Sequence, residues 1–362
     1  MICTSHRTNN RKDMTMTTPR ILLLVDWKPA ERSVLVEYIQ KRGMHCDILG
    51  TDFKLAKWSP INKIFSHWPR CLWVSLQAFK RRKDYDYMIA WQQTIGFLLG
   101  FIKITTHSGI PKIFSLNTTI IERKNPCLDM IRRWFMALAS KGIDHLSFLC
   151  ASSMYLMQER LLLLKGQSAH LVQPLTFENN PDFSGFKPES YLFSIGLSFR
   201  DYGTLMAAAK KTSRRFVVVT TDAYIKGLEI PENVTIHRNT FGNAALELLK
   251  ESAAVIFPLE KTFSPAGLTA LINAMCYGKP VIATRSMATE EYIAHGETGL
   301  LVTWKDPDAI VDAINALFTD PENAAAMGKR AREAVLKNHA LEAYLKKIVD
   351  IIEGDLCGTA AS

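Results

Sequence analysis

Short apolar runs of strand type alternate with amphipathic helical segments along almost the whole chain, and this alternation constrains the fold more than any other feature. The first pair is the run Ile21 to Asp26, followed by a helix from Ala30 to Arg42 with its apolar residues on one side. Further strands are expected at 46–49, 87–91, 112–116 and 145–150, with helices at 94–104, 128–141 and 153–164. Repeated strand and helix units of this kind predict an α/β fold with a doubly wound parallel sheet.

A second set of such units follows a break in the pattern. The stretch between Leu175 and Tyr191 is rich in Pro, Gly, Asn and Ser and has no hydrophobic period, which predicts a domain boundary. Because open α/β sheets bind ligands at the carboxyl ends of their strands, we expect the active site in a crevice between two domains. The expected units are a flexible polar tail (1–18), an N-terminal domain (19–175), a linker (176–190), a C-terminal domain (191–340) and a last helical region (341–362).

The segment from Ser264 to Thr284 predicts an anion site at a helix N-terminus. A loop enters a helix near Pro265, Gly278 closes that helix, and a buried strand comes next. Such a loop leaves backbone N–H groups unpaired at the positive end of the helix, where Ala266 and Gly267 let a ligand approach closely. A diphosphate group suits a site of this kind.

This segment, together with 290–293 (Glu-Glu-Tyr-Ile) and 295–302 (His-Gly-Glu-Thr-Gly-Leu-Leu-Val), resembles the donor-binding region of GT-B glycosyltransferases of the family 4 type. The likeness extends over about 191–335. It implies two Rossmann-like domains facing a cleft, a nucleotide-diphosphate sugar on the C-terminal domain and an acceptor on the N-terminal one. It also implies that the last helix, 341–353, crosses back to the N-terminal domain. We expect no requirement for a metal or another cofactor.

The resemblance also implies roles for individual residues. The turn after the strand at 192–195 is similar to the family's Gly-rich turn, in which a cation binds the diphosphate. Arg200 is the best candidate for that cation, because a guanidinium donates two parallel N–H hydrogen bonds to phosphate oxygens. Asn273 stands where the family has a Glu that binds the ribose, and Glu291 aligns with a Glu near the donor sugar. The expected diphosphate contacts are Gly196, Arg200, Ser264, Ala266, Gly267, Leu268 and Thr269, and Arg238 and Phe241 are expected to wall the nucleotide base.

Several of these residues have a purely structural alternative. Arg200 at a helix start would pair with Asp201 on the surface, and Phe241 would be a core residue. The acids at 290–291 would be first-turn residues favoured by the helix dipole. These alternatives stay open at the level of sequence.

Acceptor activation is the second requirement of sugar transfer, because the attacking hydroxyl has to lose its proton. The first Glu of the family's signature helix is replaced by Ser264 or Pro265, which leaves an inverting or a retaining course open. For inversion, Asp26 at the carboxyl end of the first strand is the candidate base, with an N-cap or turn role as the alternative. Glu122 and Asp144 are weaker candidates. For retention, the donor diphosphate itself can act as the base.

A basic aromatic segment at 54–83 indicates contact with a membrane surface. The chain has a formal net charge of +9, and this segment contains no Asp or Glu. A basic face beside a Trp-rich face is typical of an interfacial helix, begun here by Pro60 and kinked or ended by Pro69, whereas the alternative is a core-packing helix with solvated cations. The expected membrane contacts are Trp58, Lys63, Phe65, Trp68, Arg70 and Trp73.

These features together favour one function over its rivals. We expect a glycosyltransferase at the inner face of the plasma membrane, in the cytoplasm, acting on a lipid-linked saccharide or an envelope polysaccharide precursor. Nucleic acid is not an expected partner, since no nucleic-acid motif occurs. The alternatives are an isomerase of the UDP-sugar 2-epimerase type and a non-catalytic nucleotide-sugar-binding protein. The sugar, the nucleotide and the oligomeric state stay open.

Overall fold

A computed structural model of the chain describes residues 18–29, 33–51, 67–107, 109–119, 125–161, 163, 166–175, 181–262 and 264–359. These residues form two domains, each built on a six-stranded sheet whose paired strands all run parallel. The predicted α/β class with two Rossmann-like doubly wound sheets is confirmed.

The N-terminal sheet is covered by helices on both faces. Its strands are β1 (Arg20–Leu24), β2 (His45–Leu49), β3 (Tyr87–Ala90), β4 (Lys112–Ser115), β5 (His145–Phe148) and β6 (Ser168–His170). Its helices are α1 (Val34–Lys41), α2 (His67–Lys80), α3 (Gln93–Thr106), α4 (Pro126–Ser140) and α5 (Ala151–Leu161), with a 3-10 turn at Arg82–Asp84. The spatial order β2-β1-β3-β4-β5-β6 places the switch point, where such sheets bind ligands, between β1 and β3.

The C-terminal sheet follows the same plan. Its strands are β7 (Leu192–Ile195), β8 (Phe216–Thr220), β9 (Val234–Arg238), β10 (Ala254–Phe257), β11 (Val281–Thr284) and β12 (Leu300–Val302). Its helices are α6 (Tyr202–Ala209), α7 (Asp222–Ile225), α8 (Asn243–Glu251), α9 (Leu268–Cys276), α10 (Met287–Tyr292), α11 (Pro307–Thr319) and α12 (Pro321–Asn338). The order β12-β11-β10-β7-β8-β9 places the switch point between β7 and β10.

The last helix, α13 (Leu341–Thr359), returns to the N-terminal domain. Its apolar residues Tyr344 and Ile348 pack into the same buried cluster as Ile21 on β1. At its end, Asp355 accepts hydrogen bonds from the Tyr87 hydroxyl (2.8 Å) and from the Nζ of Lys112 (2.8 Å). The helix thus closes one face of the N-terminal sheet, beside α1.

Helix α2 runs through Pro69, so it does not end there, as the sequence had suggested it could. The helix continues to Lys80 with Cys71 and Val74 on its buried side. Pro69 lies in the first turn of the described helix, where its missing N–H removes no intrahelical hydrogen bond. Pro60 lies outside the described residues, as do Trp58, Lys63 and Phe65 of the expected membrane segment and the tail at 1–17.

The described part of the expected linker, 181–190, packs on the C-terminal domain. Ser184 and Gly185 both donate their backbone N–H to the Tyr277 carbonyl at 3.0 Å. Lys279 is fully buried and donates from Nζ to the carbonyls of Gly185 (2.8 Å) and Ser252 (2.6 Å). Burial lowers the pKa of this ammonium group to about 7.

Candidate active site

Arg200 lies at the switch point of the C-terminal sheet, next to the turns that follow β7 and β10. It is 5% exposed, and its guanidinium donates from Nε to the Ile195 carbonyl (3.0 Å) and from Nη1 to the Ser198 carbonyl (2.9 Å). Burial lowers the pKa of this guanidinium, but arginine remains protonated in proteins. No acidic side chain in the described part of the chain forms an ion pair with it.

The structural alternative, in which Arg200 pairs with Asp201 on the surface, is therefore wrong. The Asp201 carboxylate caps α6 instead, where it accepts from the Thr204 backbone N–H (3.0 Å) and from the Thr204 hydroxyl (2.7 Å). Among the described residues, the hydrogen bonds of the guanidinium go to carbonyl groups, and such a buried cation keeps an unsatisfied preference for an anion.

Two glycines make room for this guanidinium. Gly196 has φ +151° and Gly267 has φ +82°, conformations that side chains rarely adopt. A Cβ at Gly196 would lie 2.3 Å from the Nε of Arg200, and one at Gly267 would lie 2.8 Å from its Nη2. Any larger residue at either position would displace the guanidinium.

The N-terminus of α9 faces the same cation. Gly267 is the N-cap and provides no side-chain cap, and the first intrahelical bond runs from the Leu271 N–H to the Gly267 carbonyl (3.0 Å). The amides of 268–270 precede that bond and have no acceptor within the helix, which gives this end its positive potential. The Ala266 N–H is used inside the turn, because it donates to the Ser264 carbonyl at 2.7 Å.

A cleft of about 300 Å³ opens at this point between the two domains. Arg200 and the helix start lie on its C-terminal wall, and Thr119, Leu149 and Gln173 of the N-terminal half lie opposite. The cleft therefore brings a buried cation and a helix N-terminus to one space, and this combination binds anions such as phosphate groups.

The residues expected at the ribose and the base lie near this cleft or on the sheet edge beyond it. Asn273 is half-buried on α9, one turn beyond the helix start. Arg238 ends β9 and is paired with Asp222 (Nε to Oδ1, 2.7 Å), and Phe241 is 45% exposed. Phe241 is thus not a core residue, while the binding roles of these side chains stay predictions.

Glu291 joins the two domains. Its carboxylate accepts from the backbone N–H groups of Ala151 (2.7 Å) and Ser152 (2.7 Å) and from the Ser152 hydroxyl (2.6 Å), at the N-terminus of α5. Burial acts to raise the pKa of this carboxyl, but the hydrogen bonds from Ser152 and Cys150 outweigh it and lower the pKa. These contacts give Glu291 a place in the domain interface, while its role at the donor sugar stays a prediction.

Asp26 has a partner that the sequence analysis missed. It follows β1 at the switch point of the N-terminal sheet, and its Oδ2 lies 2.7 Å from the Nδ1 of His67 at the start of α2. Of the weaker base candidates, Glu122 lies outside the described residues. Asp144 precedes β5, at the sheet edge away from the cleft, and it pairs with Lys103 (2.7 Å).

One group of potential metal ligands occurs in the described part of the chain, namely Asp26, His67 and Cys71, whose ligand atoms lie within 4.8 Å of one another. Burial, with a contribution from Asp26, raises the pKa of the Cys71 thiol to about 12. The hydrogen bond between Asp26 and His67 accounts for two of the three residues without an ion. The expectation of no metal stays a prediction.

Two Asp-x-Asp triplets, at 84–86 and 306–308, have structural partners. Asp86 accepts from the Arg20 N–H (2.8 Å), and Asp306 caps α11 by accepting from the Ala309 N–H (2.9 Å). Asp308 pairs with a surface lysine. Neither triplet lines the cleft at Arg200.

The comparison with protein families agrees with this geometry. The family model described as "Glycosyl transferases group 1" matches residues 218–334, which contain α9 and Glu291. Residues 218–334 are therefore similar to group 1 glycosyl transferases. The resemblance expected for the C-terminal domain is therefore confirmed.

Curated relatives match about a quarter of the chain. A GDP-mannose-dependent alpha-(1-6)-phosphatidylinositol monomannoside mannosyltransferase of Mycobacterium tuberculosis is 34% identical over 84 residues, which are 23% of this chain and 22% of the relative. The D-rhamnosyltransferase WbpZ of Pseudomonas aeruginosa is 39% identical over 85 residues, 23% of this chain and 22% of the relative. The chain thus spans about a fifth of the length of these relatives (22%).

Solved structures extend the likeness to the whole fold. Sucrose-phosphate synthase from Thermosynechococcus elongatus has a TM-score of 0.71 at 16% identity, and the match covers 95% of this chain and 100% of that one. Anabaena HepE in complex with UDP has a TM-score of 0.66 at 12% identity, with 93% and 100% coverage. The GT-B architecture is therefore confirmed for both domains.

Proposed function

We propose that the protein is a glycosyltransferase that moves a sugar from a nucleotide diphosphate to an acceptor. The buried guanidinium of Arg200, set at the mouth of the cleft with the N-terminus of α9 and without a carboxylate partner among the described residues, carries this proposal. Charge builds up on the diphosphate as it leaves, and fixed donors directed at that charge lower the barrier to transfer.

The names of the relatives support the class of donor. The mycobacterial relative is described as GDP-mannose-dependent, and HepE was solved with UDP and with UDP-glucose. Both donors carry a diphosphate, which is the group that the cation and the helix start select. The nucleotide base would lie toward Arg238 and Phe241, and the ribose toward Asn273.

We further propose that the acceptor is a glycolipid reached at a membrane surface on the cytoplasmic side. The described residues contain no helix that is long and apolar enough to span a membrane. Helix α2, however, presents Trp68, Leu72, Trp73 and Leu76 to solvent, each more than 40% exposed, beside Arg70 and Lys80. An exposed apolar ridge flanked by cations is suited to the interface of an anionic bilayer.

Helix α4, on the same face of the sheet, adds to this surface. Met130, Ile131 and Trp134 are more than half exposed there. Both helices pack against α3, so the two apolar ridges flank one helix of the N-terminal domain. A wide apolar face of this kind is unusual for a surface that meets only water.

Nucleotide binding tests the donor site directly. We expect UDP or GDP to raise the melting temperature of the wild type, and Arg200→Ala to abolish the shift while Arg200→Lys keeps part of it. Arg215→Ala is the matched control, because Arg215 is exposed at the amino end of β8, at the sheet edge opposite the cleft. Equal shifts in wild type and Arg200→Ala would refute the proposal.

The isomerase and the non-catalytic alternatives give different readouts. Incubation of UDP-sugars without any acceptor would yield a free epimer if the protein were an isomerase. A non-catalytic protein would bind nucleotide but release none from a sugar donor in the presence of membranes.

A further inference from the structure

Three side chains of the kinds that bind metal ions meet between the end of β1 and the first turn of α2. Asp26 follows β1, while His67 and Cys71 lie four residues apart at the start of α2 and therefore share one face of that helix. Their ligand atoms lie within 4.8 Å of one another. Carboxylate, imidazole and thiolate groups are the three common protein ligands of zinc.

The distances between these atoms suit a single tetrahedral ion. The Sγ of Cys71 lies 3.8 Å from the Nδ1 of His67 and 3.6 Å from its Nε2. Around a tetrahedral zinc ion, neighbouring ligand atoms are about 3.3–3.6 Å apart, given its bond lengths to nitrogen, oxygen and sulfur. The Oδ2 of Asp26 lies 2.7 Å from Nδ1, which is a hydrogen-bond distance. An ion that replaces the shared proton would open this distance by about half an ångström.

The second nitrogen of the imidazole already has an oxygen partner. The Nε2 of His67 lies 3.3 Å from the Thr94 hydroxyl. A histidine that binds a metal through one nitrogen almost always donates its other N–H to a neighbouring oxygen, which fixes the orientation of the ring and its tautomer. The Thr94 hydroxyl can accept that hydrogen bond, so Nδ1 is the nitrogen placed to bind an ion together with Asp26 and Cys71.

The three ligands are held on one side and reachable from the other. Cys71 is fully buried, and its carbonyl accepts from the Ser75 hydroxyl (2.8 Å) within α2. The side chains of Asp26 and His67 are 15% and 42% exposed, so solvent reaches the site from their side. His67 also lines a surface hollow of about 320 Å³, which gives an ion and a water ligand a path to the site.

The ligand set selects the kind of ion. Thiolate and imidazole ligands favour Zn²⁺ and similar ions over Mg²⁺ and Ca²⁺, which prefer sites made of oxygen atoms. The carboxylate and the thiolate are both anionic when they bind, so they balance the double charge of the ion in a largely buried place. Three protein ligands leave the fourth position of a tetrahedral zinc ion to water.

We propose that Asp26, His67 and Cys71 form a Zn²⁺-binding site that ties the end of β1 to the start of α2. On binding, the thiol of Cys71 loses its proton to solvent, and the imidazole proton of His67 moves from Nδ1 to Nε2. The ion stabilises the fold and takes no part in sugar transfer, because a ligand that binds only the folded chain raises the free energy of unfolding. The site lies on the N-terminal domain, away from Arg200, and the proposal does not depend on the proposed function.

Cobalt binding tests the ligands directly. The full chain is freed of metal with EDTA and then titrated with Co²⁺, and Zn²⁺ or Mg²⁺ is added as a competitor. We expect an equimolar amount of Co²⁺ to produce a thiolate-to-cobalt charge-transfer band in the near ultraviolet, which Zn²⁺ abolishes and Mg²⁺ does not. Cys71→Ser should lose this band, whereas Cys46→Ser, a change at another buried cysteine, should keep it. A band that is absent from the wild type, or that persists in Cys71→Ser, overturns the proposal.

Thermal unfolding gives a second measurement, which also serves if Cys71→Ser does not fold. We expect Zn²⁺ to raise the melting temperature of the wild type by several degrees, and Asp26→Asn to weaken Zn²⁺ binding at least about tenfold. Thr94→Val should weaken it about tenfold through the imidazole of His67. Equal Zn²⁺ shifts in the wild type and both variants would place the ion elsewhere and refute the site. The shift caused by UDP or GDP should be the same with and without Zn²⁺, so a failure of nucleotide binding affects the proposed function alone.

Discussion

Replacing Gly267 with Ala tests whether the turn before α9 exists to admit the Arg200 guanidinium. The new Cβ would lie 2.8 Å from Nη2 and 2.9 Å from Nη1, so the guanidinium has to move. Moving it strains or breaks the bonds to the Ile195 and Ser198 carbonyls, which are 3.0 and 2.9 Å long. The backbone at this position, with φ +82°, is also unfavourable for Ala.

Gly296→Ala is the matched control. Gly296 has the same φ of +82°, but a Cβ there meets no atom within 4 Å. Both variants thus carry the conformational penalty of about 1 kcal/mol. Only Gly267→Ala disturbs the two charge-assisted hydrogen bonds, and the loss of one or both adds about 2 kcal/mol or more.

The expected outcome is a free energy of unfolding lowered by about 1 kcal/mol in Gly296→Ala and by about 3 kcal/mol in Gly267→Ala, measured by urea titration. Nucleotide affinity separates the variants further. Displacement of one guanidinium contact should weaken UDP or GDP binding at least about tenfold in Gly267→Ala and leave Gly296→Ala unchanged. Equal stability losses together with wild-type nucleotide affinity in both variants would refute the reasoning.

Three further predictions concern the membrane face, a buried lysine and the domain interface. Trp68→Ser should weaken binding to anionic phospholipid vesicles about tenfold in co-sedimentation. Trp304→Ser is the control and should leave binding unchanged, because Trp304 is exposed on the C-terminal domain. Equal binding of the two variants would exclude α2 as the membrane contact. The pKa of Lys279 is about 7 in the folded protein, against an ordinary value of 10.5. Between these two pH values the unfolded chain binds more protons than the folded one. The free energy of unfolding should therefore rise by about 2 kcal/mol from pH 7 to pH 9. Lys279→Met should remove that rise in urea titrations, and an unchanged pH slope would contradict the assignment. Glu291→Gln should lower the melting temperature by several degrees, because it loses the charge-assisted hydrogen bonds at the start of α5. Glu290→Gln is the control, since it affects only an exposed ion pair. Equal melting temperatures of the two variants would show that the interface bonds contribute little.

The alternation of strands and helices was readable from sequence because hydrophobic periodicity is a local property. All four residues of strand β3 are fully buried, and an unbroken apolar run in the sequence predicts such a strand. The signature around α9 was readable for the same reason, since a loop, a helix start and a closing glycine are adjacent in the chain. The local pattern thus indicated Gly267, whereas Arg200 was a candidate because the turn after β7 resembles that of the family.

Tertiary structure alone decided which side chains meet. His67 lies 41 residues from Asp26, and the two join only because β1 and α2 reach the same switch point. Glu291 lies 140 residues from the Ala151 amide, so its role in the domain interface had no local signal. Sequence fixes the periodicity of each element, whereas the contacts between elements depend on how the sheets order their strands and on how the two domains close against each other.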